Sequence, residues 1–374
     1  MKEKLGILGG GQLGRMLIQS AIDFNMEVHI LDPSKDAPCA ALAHHFESGD
    51  LKDFDSVYNF GKRCDIITIE IEKVNTAALK KLRDEGKKVY PQPEIIELIQ
   101  DKRLQKQFYV ENGLPTADFI LVENKQDVLN NSSFLPAANK LGKDGYDGRG
   151  VQLLRSEGDL AKAFDAPGLL EKLVDIDKEI AVIVARNAKG ETKAFPVVEM
   201  VFHPEANLVE FLFSPAQVDK TIAKEAEEMA LKLIEKLDMV GLLAVEMFID
   251  KNGILLINEV APRPHNSGHQ SIEGNITSQF EQHLRAIYNL PLGDTAIRVP
   301  AAMINLLGEE GYSGSPVYEG LDEILSMSGV HLHLYGKNST QSFRKMGHVT
   351  VTDNDIEKLK EKAMLVKNTL RIIS

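Results

Sequence analysis

Residues 242–269, LLAVEMFIDKNGILLINEVAPRPHNSGH, carry the pattern on which the fold of this chain turns. Leu243 to Ile249 and Ile254 to Val260 are rich in β-forming side chains, and Asp250-Lys-Asn-Gly253 between them has the composition of a tight reversal. With Ile249 facing Ile254 across that turn, Glu246 faces Ile257, and Glu259 lies one diagonal step away on the same side of the sheet. Diagonal neighbours stand roughly 7–8 Å apart at their roots, near enough for two carboxylates to converge on one cation. Two like charges on a mostly apolar hairpin otherwise repel and resist desolvation, which favours a shared ion. Asn258 beside Glu259 adds an oxygen of the kind magnesium prefers, and no soft ligand is near. An amphipathic hairpin with one acidic face in water fits the same residues. The loop that follows, Arg263-Pro-His-Asn-Ser-Gly-His269, gathers a guanidinium, two imidazoles, an amide and a hydroxyl. That is a poor recipe for a core and a good one for holding anions beside a metal.

Length and composition bound what surrounds the hairpin. The 374 residues suffice for two or three subdomains around a substantial core. With 43 Lys+Arg against 55 Asp+Glu the formal charge is −12, and no basic run interrupts it, which argues against nucleic acid or an anionic membrane as partner. Cys39 and Cys64 show neither metal spacing nor a disulfide framework and suit a reducing compartment. Met1 leads into a strand pattern without signal-peptide character, and no apolar run approaches a membrane span, so a cytoplasmic location is expected.

Leu5 to Leu8 has the pattern of a short buried strand, Gly9 to Gly14 of a tight turn, Arg15 to Phe24 of a helix, and Glu27 to Leu31 of a second strand ending at Asp32. This is a βαβ unit with a right-handed crossover. Gly9, Gly11 and Gly14 fit G-x-G-x-x-G, and Asp32 falls where the ribose-binding acid of a dinucleotide site belongs. Three uses stay open: a dinucleotide site, close strand-to-helix packing, or a cradle for the phosphate of a mononucleotide. Cys64 to Glu72 is a further strand, apolar and then acidic. It places Glu70 and Glu72 at a carboxyl end, where open α/β sheets bind ligands, unless the two are simply a solvated strand end. Helices over Thr76 to Glu85 and from Pro93, with a strand at Lys88 to Tyr90 between them, bring the first unit to a close near Gln100.

A second unit opens with a helix from Asp101 that stops at Asn112-Gly113. In it Ala137 to Lys140 and Val151 to Leu154 flank Gly142-Lys-Asp-Gly-Tyr-Asp-Gly-Arg-Gly150, whose glycines, with Lys140, Lys143 and Arg149, make a cationic hairpin loop suited to folding over phosphates. A plain surface turn built on Asp-Gly is the alternative, and the lysine and hydroxyl that close a P-loop are missing. Gly168 to Val174 crosses into the next section, and Lys178 to Val184 and Lys193 to Val201 are strands. Ile222 to Leu237 is an amphipathic helix, and Ile276 to Tyr288 another, with Phe280, Leu284 and Ile287 on one face. His331 to Lys337 and Phe343 to His348 alternate like strands.

A βαβ front unit, a glycine-rich loop preceded by lysine, the crossover Glu171-x-x-Val174, and the paired Glu246 and Asn258-Glu259 together resemble the ATP-grasp ligases over nearly the whole chain. More narrowly, GGGQLGRM at 9–16, GYDGRG at 145–150 and NEVAPRPHNSGH at 258–269 are similar to the 5-(carboxyamino)imidazole ribonucleotide synthetases of purine biosynthesis. The resemblance implies an α/β and α+β architecture, the ATP-grasp fold. A Rossmann-like pre-ATP-grasp domain is expected over 1–100, a lid subdomain over 101–173, and a C-terminal antiparallel-sheet catalytic domain with a terminal extension over 174–374.

The same resemblance implies basic ATP contacts at Lys102 and Lys140, and a lid made by Gly145, Tyr146, Asp147, Gly148, Arg149, Gly150 and Val151. It implies adenine read by the backbone of Glu171, Lys172, Leu173 and Val174, ribose hydroxyls on Glu179, and a nucleotide-site histidine at His203. Glu246 and Glu259 match the magnesium ligands, assisted by Asn258. Arg263, His265 and Asn266 match the bicarbonate and carboxyphosphate region, with Tyr146, Asp147 and Arg149 near the reacting centre. The ribonucleotide is expected against Gln12, Glu72, Tyr146, Lys337 and Arg344, the last two on its 5′-phosphate. Lys102 stands where many relatives have arginine, which keeps the charge but loses bidentate geometry, and Lys73 follows Glu72 where His or Asn is usual.

The chemistry implied is phosphoryl transfer from Mg-ATP to bicarbonate, giving ADP and carboxyphosphate, whose collapse to carbon dioxide beside aminoimidazole ribonucleotide lets the exocyclic amine attack. Arg263 and His265 are expected to stabilise the anion, Asp147 to accept or orient a proton, and the lid to keep water out. Expected partners are therefore small molecules, with neither nucleic acid nor membrane, and the family suggests a homodimer. The alternatives are a formate-using glycinamide ribonucleotide transformylase of the same superfamily, a nicotinamide-dependent oxidoreductase built on Gly9 to Gly14 and Asp32, and a non-catalytic nucleotide-binding module.

Overall fold

Short runs that are apolar on both faces, the composition that parallel strands covered by helices require, build the first sheet. In the computed structural model, which describes residues 2–143, 145, 150–202 and 209–374, these runs are the inner strands β1 (Leu5–Leu8), β2 (Val28–Asp32) and β4 (Ile66–Ile69), and the sheet is completed by the more exposed edge strands β3 (His45–Ser48) and β5 (Lys88–Val89). They alternate with helices α1 (Gln12–Asp23), α2 (Phe54–Gly61), α3 (Thr76–Asp84) and α4 (Pro93–Gln100), and pair in parallel in the order β3-β2-β1-β4-β5. Two boundaries differ from expectation. Helix α1 begins at Gln12 rather than Arg15, directly on the glycine turn, and β4 ends at Ile69, so Glu70 and Glu72 lie beyond the strand.

Helix α5 (Lys102–Glu111) is capped by Asp101, whose carboxylate accepts the Arg103 N–H at 3.0 Å. An antiparallel sheet follows, with β6 (Phe119–Val122), α6 (Lys125–Asn130), β7 (Ala137–Leu141), β8 (Val151–Leu154) and β9 (Gly168–Lys172), ordered β6-β9-β7-β8. The glycine-rich loop joins β7 to β8, where Lys140 pairs with Val151. Gly150, at φ +90°, lies so close to Gly145 that a Cβ there would stand 2.8 Å from its Cα. Tyr146, Asp147, Gly148 and Arg149 of the loop, and His203, lie outside the described residues.

The largest sheet is antiparallel throughout. In chain order its strands are β10 (Ile176–Arg186), β11 (Thr192–Ala194), β12 (Val198–Phe202), β13 (Val209–Ser214), β14 (Gly241–Asp250), β15 (Leu255–Ala261), β16 (Ala301–Leu307), and later β19 (Val330–Leu334) and β21 (Lys345–Thr352). They run β15-β14-β10-β12-β13-β16-β21-β19, with β11 beside β10. Two short pairs flank it, β17 (Ser313–Gly314) with β20 (Thr340–Gln341) and β18 (Val317–Glu319) with β22 (Arg371–Ile373). The helices are α7 (Lys220–Lys236), α8 (Ser271–Gly274), α9 (Gln279–Ile287), α10 (Leu321–Leu325) and α11 (Ile356–Thr369). Lys193 to Val201 does not run as one strand, because Pro196 has no N–H for the ladder and separates β11 from β12. Helix α9 starts at Gln279 rather than Ile276, where the Ser278 hydroxyl accepts the Glu281 N–H at 3.1 Å.

Met229, Ala230 and Leu233 of α7 pack on Val182, Leu243, Val245 and Ile257 beneath the central strands. The core of the first sheet is not self-contained: Leu5, Ile7, Leu13, Met16 and Leu17 share it with Phe280, Leu284 and Ile287 of α9 and with Tyr335. Among the described residues no helix is long and apolar enough to cross a membrane.

Candidate functional site

The two central glutamates face each other directly. β14 and β15 pair Ile249 with Leu255, Phe248 with Leu256 and Met247 with Ile257; Glu246 then pairs with Glu259, and Asn258 is the extra residue of a β-bulge. This corrects the expected register, in which Glu246 met Ile257 and Glu259 stood diagonally. The turn is one residue longer than expected because the Asp250 carboxylate accepts the N–H groups of Asn252 and Ile254, each at 2.8 Å. A bulge sets two residues against one and re-aims side chains, which is how consecutive Asn258 and Glu259 both reach the same lysine-lined space. On the other side of β14, Glu246 pairs with Ala181 of β10, and Glu179, two positions away on that strand, projects from the same face.

Lysines from α5 and β7 enter this acidic space. Lys102 contacts Glu259, and Lys140 donates to Asn258 Oδ1 at 3.1 Å and to Glu171 Oε1 at 2.6 Å. Glu171 is buried and also pairs with Lys106, which in turn donates to the Thr116 hydroxyl. Burial pushes the Glu246 carboxyl up, reinforced by Glu259 and Glu179. Lys102 holds Glu259 low, although 44% of that side chain remains exposed. Burial also pushes Glu179 up to about 7 and Lys106 down to about 8. In Glu171 the charges of Lys140 and Lys106 outweigh burial, and its carboxyl stays low. The backbone of β9 beyond Glu171 is engaged as well: Lys172 N–H donates to Asp118 O at 2.8 Å and Leu173 N–H to Pro136 O at 3.2 Å.

The loop after β15 is shaped by Gln279, a buried residue on α9 that motif and spacing did not flag. Its Oε1 accepts the His265 N–H at 2.8 Å, and its Nε2 donates to His265 O at 2.7 Å and meets His269 Nδ1 at 3.1 Å. So held, His265 brings Nε2 to 3.6 Å from Glu246 Oε1. Arg263 pairs with Glu72 at 2.8 Å, joining the loop to the end of the first sheet. Asn266 Nδ2 is shielded from solvent with no hydrogen-bond partner among the described residues. Lys337 Nζ donates to Lys345 O at 2.6 Å, and Arg344 donates to Ser339 O and Oγ at 2.7 and 2.8 Å. Arg15, Met16 and Gln19 of α1 line a cavity of about 290 Å³ together with Leu332 to Tyr335, just before Lys337.

The glycine turn at 9–14 offers no room for a dinucleotide. Gly10 N–H donates to Asp32 at 2.7 Å, Gly11 N–H to Glu70 at 2.8 Å and Leu13 N–H to Glu70 at 3.2 Å, so the donors a pyrophosphate needs are already engaged. The donor set around Glu246, by contrast, suits a hard cation. It consists of carboxylate and amide oxygens, and a lysine ammonium stands on Glu259 as a resident positive charge. Among the described residues no three or more His, Cys, Asp or Glu side chains are grouped to enclose a metal by themselves.

Comparison with known proteins gives three family matches. Residues 107–280 match the ATP-grasp domain, residues 1–100 the ribonucleotide synthetase preATP-grasp domain, and residues 301–362 the phosphoribosylaminoimidazole carboxylase C-terminal domain. The N5-carboxyaminoimidazole ribonucleotide synthase of Bacillus subtilis is 37% identical over 353 residues, 92% of this chain and 90% of that one. The chloroplastic phosphoribosylaminoimidazole carboxylase of Vigna aconitifolia is 37% identical over 95% of this chain, which spans 65% of its length. The crystal structure of N5-carboxyaminoimidazole ribonucleotide synthetase from Thermotoga maritima matches with a TM-score of 0.92 at 42% identity, covering 100% of this chain and 99% of that one. The corresponding synthase of Aspergillus clavatus, in complex with ADP and 5-aminoimidazole ribonucleotide, matches with a TM-score of 0.89 at 32% identity over 98% of both chains.

Proposed function

The chain belongs to the N5-carboxyaminoimidazole ribonucleotide synthases, a family of ATP-grasp ligases, and from this we infer that it carboxylates the exocyclic amine of 5-aminoimidazole ribonucleotide at the expense of ATP. The products are N5-carboxyaminoimidazole ribonucleotide, ADP and phosphate. The observation that carries this reading is the direct pairing of Glu246 with Glu259 within reach of Lys102 and Lys140, at the foot of the glycine-rich hairpin.

Bicarbonate is the proposed carbon source, and carboxyphosphate the species that delivers it. Magnesium, held by Glu246, Glu259 and Asn258, would offset the charge of the ATP phosphates. Lys140, fixed between Glu171 and Asn258, lies where it would offset charge on the transferring phosphoryl, with Lys102 beside it. Adenine is assigned to the backbone of Glu171 to Val174, the ribose hydroxyls to Glu179, and a further nucleotide contact to His203. Arg263, His265 and Asn266 are assigned to bicarbonate and carboxyphosphate, a role supported by the solvent-shielded Asn266 Nδ2, which has no hydrogen-bond partner among the described residues. The Arg263–Glu72 pair links them to the proposed ribonucleotide pocket of Gln12, Glu72, Tyr146, Lys337 and Arg344. Gly145 to Val151 would close over carboxyphosphate and keep water from it, with Asp147 as proton acceptor and Arg149 beside the reacting centre.

We assign these roles to a substrate domain at 1–100, a lid at 101–173 and a catalytic domain at 174–374, in a cytoplasmic homodimer. Aminoimidazole ribonucleotide, bicarbonate and Mg-ATP mixed with the protein should release ADP only when all are present. ADP release indifferent to the ribonucleotide would refute the assignment. Glycinamide ribonucleotide with formate in place of the two carboxylation substrates separates the formyl-transfer alternative.

A further inference from the structure

The glycine-rich turn at the start of α1 has the shape of a phosphate cradle, and a side chain of the protein fills it. Glu70, just past the end of β4, accepts the Gly11 N–H at 2.8 Å with one carboxylate oxygen and the Leu13 N–H at 3.2 Å with the other. A carboxylate in this position gains from the free N–H groups and from the helix dipole. The fit depends on glycine: a Cβ on Gly11 would collide with the Glu70 carboxylate, and one on Gly9 would stand 2.7 Å from its Oε2. Gln12 lies between the two clamped N–H groups, at the first position of the helix. Glu72, two residues beyond Glu70, pairs with Arg263. Burial pushes the Glu70 carboxyl up, opposed by the Gly11 N–H, the charge of Arg263 and the Leu13 N–H.

We propose that Glu70 is a positioning residue for the ribonucleotide, a built-in anion that fixes Gln12 from both flanks and ties it to Glu72. The proposal rests on the functional reading above. The Glu70 carboxylate is taken up by the Gly11 and Leu13 N–H groups, so it acts through the backbone on either side of Gln12. It also decides which ligands the front domain accepts, because a dinucleotide or free phosphate would have to displace it from the turn.

Glu70→Ala removes a volume close to that of one acetate ion, which makes acetate the probe. In the variant the KM for aminoimidazole ribonucleotide should rise about tenfold or more, while the KM for ATP stays within about twofold. Acetate should restore the ribonucleotide KM, and chloride at equal ionic strength should not. Glu70→Gln, which keeps the shape and loses one of the two acceptor oxygens, should fall between wild type and Glu70→Ala, and it carries the test where the alanine variant does not fold. An unchanged ribonucleotide KM in both variants would overturn the proposal. So would a joint rise of both KM values without acetate rescue, since that is what general support of the fold would give. A wild-type protein that releases no ADP with the ribonucleotide would sink the functional reading instead. In that case the clamp is still read by thermal melting, where acetate should stabilise Glu70→Ala and leave the wild type unmoved.

Discussion

Lys102 and Glu259 meet in a way that separates charge from geometry. The ammonium lies on the carboxylate and keeps it ionised, while Glu246 opposite is pushed toward its protonated form by burial and by two neighbouring carboxylates. The proposed divalent ion would reverse that balance, so Glu259→Gln should cut ribonucleotide-dependent ADP release by on the order of a hundredfold or more, given the several kcal/mol such an ion would supply. Circular dichroism and melting should show a fold close to wild type, and retained turnover would remove this residue from the site. Glu179 gives a pH signature with the sign worked out. Its folded carboxyl titrates near 7 against 4.5 for the ordinary group, so between those values the native state holds a proton that the unfolded chain has lost. Its contribution to stability is therefore greatest below about pH 4.5, falls as pH rises to about 7, and is level above. Urea unfolding of Glu179→Gln should lack this slope, with a gain over wild type between pH 5 and pH 8 of at most about 3 kcal/mol. At this scale the sequence made Glu246, Glu259, Asn258 and the basic partners legible, because acidic and basic residues in apolar stretches need a reason. Lys106 and Gln279 went unassigned, and Glu70 was placed at a ligand-binding strand end without its partner in the glycine turn, because nothing in a run such as TIEIE or LQKQF says which side chain turns inward.

Elements were legible where local composition governs them and illegible where pairing does. The hairpin, the first βαβ unit and the amphipathic face of α7 follow from apolar periodicity, and each formed within a few residues of its expected bounds. The register and the bulge at Asn258 did not follow: the Asp250 carboxylate closes the turn on its own downstream N–H groups and lengthens it by one residue, and the bulge arises separately, beyond three regular pairs of the ladder. Strands β13 and β16 carry no motif, and their places in the large sheet are set by long-range partners. The turn itself can be perturbed apart from the site. Gly253 has φ +80° with open space where a Cβ would sit, so Gly253→Ala meets backbone strain and no clash. It should cost about 1–2 kcal/mol of stability and leave the KM for ATP unchanged. A tenfold rise in that KM would mean that the turn, rather than the bulge, sets the spacing of the two glutamates.

The molecule closes its first sheet with a helix that comes far later in the chain. Phe280, Leu284 and Ile287, recognisable from spacing as one apolar face of α9, find their partners in Leu13, Met16 and Leu17 of α1, a pairing that no local pattern could announce. Polar contacts add to it at α9 and also at the connection between α7 and β14. His283 and Thr68 meet at 2.9 Å, Gln92 donates to Asp238 O at 2.6 Å and accepts the Val240 N–H at 3.0 Å, and Tyr288 donates to Glu3 O at 3.1 Å. Helix α9 also carries Gln279, which holds the His265 loop, so one helix packs on the first sheet and supports that loop as well. Phe280 is 1% exposed, so Phe280→Ala should cost about 3–5 kcal/mol in lost burial and residual cavity. The loss should be felt by the whole chain: calorimetry of the variant should show one transition moved to lower temperature. A separate early melting of the first hundred residues would mean that the front domain stands on its own core. If instead α9 completes that core, residues 1–100 expressed alone should bind a hydrophobic dye and lack a sharp melt, because the apolar face that α9 covers would be left open to water.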